Sequence, residues 1–149
     1  MTIPLEDAEL LLINIERGIK DLKIKYESKQ SERLLSNHIL MNDFINNNVK
    51  THIKPLKDLL LKIRENHVGD FKSSTNFDVA VKYCNEIEKV LNSIMVMYRM
   101  RDNLVDIKLK WQYNLPKMMD DLVHLKNRFG IIKGQLTKKA FEYEEESWF

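Results

Sequence analysis

The stretch at 77–98, FDVAVKYCNEIEKVLNSIMVMY, places apolar side chains at Phe77, Ala80, Cys84, Ile87, Leu91, Ile94 and Tyr98. Their spacing alternates between three and four. That repeat keeps side chains on one face of an α-helix, whereas a strand needs period two. The same spacing runs through Leu5, Ala8, Leu12, Ile15, Ile19, Leu22 and Tyr26, and again from Leu104 through Ile107, Trp111, Leu115, Met118, Leu122, Leu125, Phe129 and Ile132 to Leu136. These seams predict an all-α fold, an elongated, coiled-coil-like helical bundle of about four long helices.

Composition agrees. In 149 residues only 4 Gly and 3 Pro stand against 44% hydrophobic and 31% charged residues, too few turn formers for a β-sandwich or barrel. The apolar content is enough to offset ordering entropy, which argues against wholesale disorder. The length suits a single domain.

The predicted helices are 4–28, 32–65, 76–113 and 116–140. Pro4 suits a first helical turn, with Glu6, Asp7 and Glu9 favourable near the positive helix end. Asn46-Asn47-Asn48 and Pro55 predict a kink or break near 47–55. Turn formers cluster over 66–75, a loop dividing the helical domain 1–140 into halves 4–65 and 76–140; Thr75 with Asp78 reads as a cap for the second half. At Pro116 the helix either kinks and continues or ends near Asn114 and restarts; the restart is the expectation. Residues 141–149 form an acidic-aromatic tail.

Charge is balanced overall at +2, but residues 1–98 sum to 0, 99–139 to +6 and 140–149 to −4. Such a chain has no strong global field for nucleic acid or anionic membrane. The lone Cys84 excludes an internal disulfide, the start has no basic run of the signal-peptide kind, and no segment reaches the ~18 apolar residues of a membrane span. The expected location is intracellular, cytoplasmic or nuclear, with no transmembrane segment.

Candidate chemistry is sparse. Asp121 and His124 resemble half of the carboxylate-x-x-His pattern of di-metal bundles, but the other half is missing. Cys84 sits on a seam, where a small buried hydrophobe is expected. No phosphate loop, nucleophile elbow or zinc spacing is present. No catalytic, metal or cofactor residues are assigned, and a non-enzymatic protein is expected.

The residues assigned to partner binding are Leu12, Ile15 and Ile19 on the first seam, Gly130 and Gly134, and Phe141, Tyr143, Trp148 and Phe149 in the tail. The two glycines, four apart, mark either close approach of another helix or a fraying helix end. The tail aromatics, interleaved with four acids, fold back onto Lys133, Lys138 and Lys139 or insert into another subunit. The expected function is a scaffold or interaction subunit of an intracellular protein complex, of the tethering, cytoskeletal, kinetochore or organelle-positioning type, hetero-oligomeric or homo-oligomeric. The alternative is a small helical protein that binds nucleic acid or anionic membrane through the basic 99–139 helices.

Overall fold

In a computed structural model the backbone is described for residues 4–66 and 71–147, and the side chains for 5–66 and 75–136. Pro4 opens α1, Pro4–Glu27, with Glu6 and Asp7 in its first turn and Lys25 in its last, each matched to the local sign of the helix dipole. Its seam is buried from Ala8 through Leu12, Ile15 and Ile19 to Leu22. The turn that follows needs neither Gly nor Pro, because the Ser28 hydroxyl accepts the Gln30 N–H at 3.1 Å and the Ser28 carbonyl accepts the Ser31 N–H at 3.0 Å.

The predicted 32–65 helix is a succession of pieces: α2 (Ser31–Ser36), α3 (His38–Ile45), a π-helical segment (Asn46–Lys50) and α4 (Thr51–Glu65). Asn37, extended at ψ 92, separates α2 from α3 and caps the latter by accepting the Leu40 N–H at 3.1 Å. The buried residue of α2 is Leu35, with Leu34 only half-buried.

The π segment has a cause legible in the spacing. Met41, Ile45, Val49 and Ile53 are all buried yet separated by successive fours. In an α-helix each such step advances the side chain by about 40°, so the row would wander off the core face. The wider i→i+5 turn absorbs the drift, as the Thr51 N–H donating to the Asn46 carbonyl demonstrates. The expected kink is therefore a π turn, and Pro55 lies within α4 downstream of it.

Where α1 crosses this bulge, Gly18 leaves the needed space. A Cβ on Gly18 would stand 2.6 Å from Val49 Cγ2 and 3.0 Å from the Asn48 carbonyl carbon, and nearer still to its oxygen. Close backbone approach thus occurs at Gly18. At Gly130 and Gly134 nothing among the described residues comes within 4 Å of an added Cβ, so neither marks a close approach to them, and both lie inside an unbroken helix where fraying was the other expectation.

The second half corrects three boundaries. α5, Phe71–Arg99, begins inside the predicted 66–75 loop, so Thr75 is interior to a helix and is not its cap. Asn76, the first residue of the predicted helix, is buried on α5 and accepts a 2.9 Å bond from Arg128 Nη1. The break expected at Pro116 falls instead at residues 100–103, between α5 and α6 (Leu104–Ser147).

That turn is well specified. Arg101 adopts φ 54, the Asp102 N–H reaches the Met97 carbonyl at 3.0 Å and the Arg101 N–H reaches the Tyr98 carbonyl at 3.2 Å, which is a Schellman closure with Arg where Gly is usual. Asn103 then caps α6 reciprocally: its Oδ1 accepts the Asp106 N–H at 2.9 Å and its Nδ2 donates to the Asp106 carboxylate at 3.0 Å. Pro116 is tolerated because it and Gln112 are both exposed, so the carbonyl it strips of a donor faces the hydrated side.

Cross-helix pairs define the topology. Lys25 lies over Phe44 while Gly18 meets Val49, so α4 returns antiparallel to α1. Lys57 reaches Glu88 and Arg64 reaches Asp78, which sets α5 antiparallel to α4. Trp111 pairs with Tyr98 and His124 stacks on Tyr83, which sets α6 antiparallel to α5. Lys126–Glu16 and Lys133–Glu9 close the ring between α6 and α1. The result is an up-down-up-down four-helix bundle whose single core receives all the predicted seams. No strand is present among the described residues.

Candidate interaction surface

The titratable groups on the seams are inert by placement. Cys84 is buried, and desolvation pushes its thiol up to about 12, so a thiolate is not available near neutrality. Asp121 accepts from Lys117 Nζ at 3.0 Å, while the His124 ring stacks on Tyr83 at a 5.0 Å centroid separation. The Asp121 carboxylate in turn holds the Lys117 ammonium above the usual lysine range. No group of three or more His, Cys, Asp or Glu suited to a metal is found among the described residues.

Leu12, Ile15 and Ile19 belong to the chain's own core, where α1 packs against α4 and the π segment. They are therefore corrected from partner-facing to internal. Gly130 and Gly134 are exposed on α6. The side chains of Phe141 and Tyr143, and all of Trp148 and Phe149, lie outside the described residues. The backbone of α6, however, continues unbroken to Ser147, so residues 141–147 do not turn back onto Lys133, Lys138 and Lys139.

At the other end of α6, the first turn of α3 leans on the α5–α6 connection. His38 Nε2 donates to the Asp102 carbonyl at 3.2 Å, and its ring meets Tyr98 edge-on at 5.8 Å. Tyr98, whose hydroxyl burial raises to about 12, accepts the Trp111 indole N–H at 3.0 Å. Trp111 is 1% exposed, hence core and no stacking platform. Beside this cluster lies an open cleft of about 210 Å³ bounded by Ile39, Asn42, Asp43, Arg99 and Arg101. Asn42 Oδ1, closed to solvent there, accepts no hydrogen bond among the described residues.

Two features of α6 remain. The first is an apolar row on the side away from the core: Val105, Leu109 and Tyr113, continued by Val123 and Ile131. Val105 is 67% and Tyr113 74% exposed. Spacing of four carries the first three along one line, on the helix face opposite Ile107 and Trp111. None of them was assigned a role in the sequence, although that spacing was the available signal; their exposure follows from the bundle having no helix on that side.

The second is charge. Lys108 pairs with Glu32, Lys117 with Glu86 and Asp121, Lys126 with Glu16, and Lys133 with Glu9, while Arg128 bonds Asn76. Hydrogen bonds from Lys20 first, and from Lys126, hold the Glu16 carboxyl below its ordinary range. Arg99, Arg101 and Lys110 make no ion pair with a described residue; Arg99 and Arg101 border the cleft beside α3, and Lys110 shares the start of α6 with Asp106.

These features define a class: an antiparallel four-helix bundle with an exposed apolar row on one outer helix face. Comparison with family models, curated proteins and solved structures finds no match. No helix among the described residues is long and apolar enough to cross a membrane.

Proposed function

We propose that this chain is a non-enzymatic interaction subunit of an intracellular multiprotein assembly, and that it docks through the outer face of α6. The observation that carries this reading is the row Val105, Leu109, Tyr113, Val123 and Ile131, apolar and exposed on a helix whose opposite face is fully used by the bundle. Apolar side chains gathered on one exposed helix face are a recurrent feature of protein-binding surfaces. Scaffold subunits of the tethering or cytoskeletal kind use such faces, and the buried unpaired Cys84 suits a reducing cytoplasm or nucleus.

The alternative, binding of nucleic acid or anionic membrane by the 99–139 helices, has less support. Four of those cations, Lys108, Lys117, Lys126 and Lys133, are matched to carboxylates of neighbouring helices, and of the aromatics there Trp111 and Phe129 are core while Tyr113 lies on the apolar row. A photocrosslinking amino acid at Tyr113 in cells tests the proposal, with Lys29, exposed and away from apolar neighbours, as the reference position. Protein adducts from Tyr113 and not from Lys29 support it. Equal labelling, or none, refutes it.

A further inference from the structure

We infer that the cleft between α3 and the α5–α6 connection binds an acidic amino acid, a small molecule carrying two carboxylates and one ammonium. The inference goes beyond the docking reading of α6 and does not depend on it. Charges of both signs line this cleft, Asp43 on the α3 side and Arg99 and Arg101 on the other. None of these three side chains makes an ion pair or hydrogen bond with a described residue. Elsewhere the bundle pairs its facing charges, as at Lys57–Glu88, Arg64–Asp78 and Lys126–Glu16. Here the cleft separates them, so a bridging ligand must present negative groups to the arginines and a positive one to Asp43. Asp102 is engaged through its carbonyl by His38 and does not line the cleft. Two guanidinium groups against one carboxylate therefore match two carboxylates and one ammonium.

The volume sets the size of the ligand. A cavity of about 150 Å³ holds benzene, and drug-sized ligands take about 300 Å³ or more. The cleft, at about 210 Å³, falls between the two. Aspartate or glutamate, each of about ten non-hydrogen atoms, suits that space, and a nucleotide or a peptide segment exceeds it.

Two lining residues are held in unfavourable states that such a ligand accounts for. Arg101 keeps φ 54, a conformation glycine would adopt without strain, while its side chain borders the cleft. Asn42 Oδ1 is closed to solvent and meets no donor among the described residues. Asn42 and Asp43 are consecutive on α3, and rotation about the last Asn42 torsion turns its amide oxygen toward the cleft. One ammonium, with three N–H donors, can then serve both side chains. The two carboxylates go to Arg99 and Arg101, whose planar guanidinium groups suit them. The walls are fixed from behind by the 3.2 Å bond from His38 Nε2 to the Asp102 carbonyl and the 3.0 Å bond from Trp111 to Tyr98.

Titration of the isotope-labelled full chain with L-glutamate or L-aspartate at constant ionic strength, followed by amide NMR shifts, tests this. Saturable shifts are expected over 38–43 and 98–103, with a Kd of about 1 mM, the scale for a ligand of about ten non-hydrogen atoms. Glutarate, which lacks the ammonium, and glutamine, which lacks one carboxylate, bind about tenfold more weakly. Arg101→Gly removes one guanidinium and the strained backbone together; it weakens L-glutamate binding about tenfold while the fold stays at least as stable, so the loss is not unfolding. Asp43→Asn abolishes the preference for glutamate over glutarate, a change that a purely structural role for Asp43 would not produce. No saturable shift from either amino acid up to about 20 mM, well above the expected Kd, overturns the inference. So does glutarate or inorganic phosphate shifting the same amides as tightly as glutamate, which would make the cleft a general anion site, and so do saturable shifts centred away from it.

Discussion

Gly18→Ala isolates the contact between α1 and the π segment. In an open helix this change gains about 1 kcal/mol, because alanine gives up less backbone freedom. Here the new methyl would stand 2.6 Å from Val49 Cγ2 and 3.0 Å from the Asn48 carbonyl carbon, where ordinary contact begins near 3.4 Å. A valine in a helix has one favoured χ1 and the carbonyl is fixed by its neighbours, so the helices themselves must separate. Overpacking of this kind costs about 1–3 kcal/mol at the common end, and a rigid backbone neighbour puts it at the upper end. The expected net loss is about 1–2 kcal/mol, a Tm lower by roughly 3–8 °C for a chain of this size. Urea titration followed by helical circular dichroism reads it. Adding Val49→Ala should recover part of the loss, so the two changes are non-additive by more than about 0.5 kcal/mol. Gly134→Ala, measured in dilute solution, should instead stabilise by up to about 1 kcal/mol. A Gly18→Ala protein as stable as its parent, or additive behaviour with Val49→Ala, would refute the close-packing argument.

Other expectations are independent of this one. Arg101→Gly relieves a left-handed residue, and chemical denaturation should register about 0.5–1 kcal/mol of added stability. Tyr98→Phe leaves the buried Trp111 N–H without its acceptor and costs about 1–3 kcal/mol by the same assay. Native Cys84 should react with a thiol reagent at pH 8 at least about a hundredfold more slowly than in the urea-unfolded chain, since burial raises its thiol to about 12. Because the folded Glu16 carboxyl is held below its unfolded value, its contribution is complete above about pH 4.3 and lost as pH falls through the lower folded value. Glu16→Gln should therefore lower stability at pH 7 by no more than about 1 kcal/mol, with the gap closing in acid.

The seams were legible because amphipathic periodicity over many turns outweighs local noise: every residue from Phe77 to Tyr98 on the predicted stripe is buried. The break between the last two helices was not, since Pro116 gave the stronger local signal while sitting on the hydrated side, where its lost hydrogen bond costs little. The actual stop carries no glycine; Arg101 takes the left-handed position, and the cap Asn103-x-x-Asp106 was the quieter signal beside it. Glycine in a helix does not announce its neighbour, so Gly18 and Gly130 look alike in sequence and differ wholly in surroundings. Nor does the sequence mark Asn76 as buried, because its Arg128 partner lies 52 residues away. For the outer face of α6, spacing places Leu109 and Tyr113 on one line, but whether another helix covers that line is decided only by how the bundle closes.

The π segment also behaves as an insertion that the fold has kept. Removing one of Asn46, Asn47 or Asn48 would let ordinary i→i+4 bonding run from His38 to Glu65, and secondary structure alone would favour it. At 100° per residue the deletion would leave Met41 and Ile53 eleven apart and within about 20° of each other, so the upstream and downstream core residues would keep a common face. The extra residue falls among three asparagines of poor helical propensity, and Gly18 on α1 makes room for the widened turn. A one-residue deletion at the bulge is thus expected to leave the core seated, whereas the same change inside α4 would turn the residues beyond it by about 100° and unseat them.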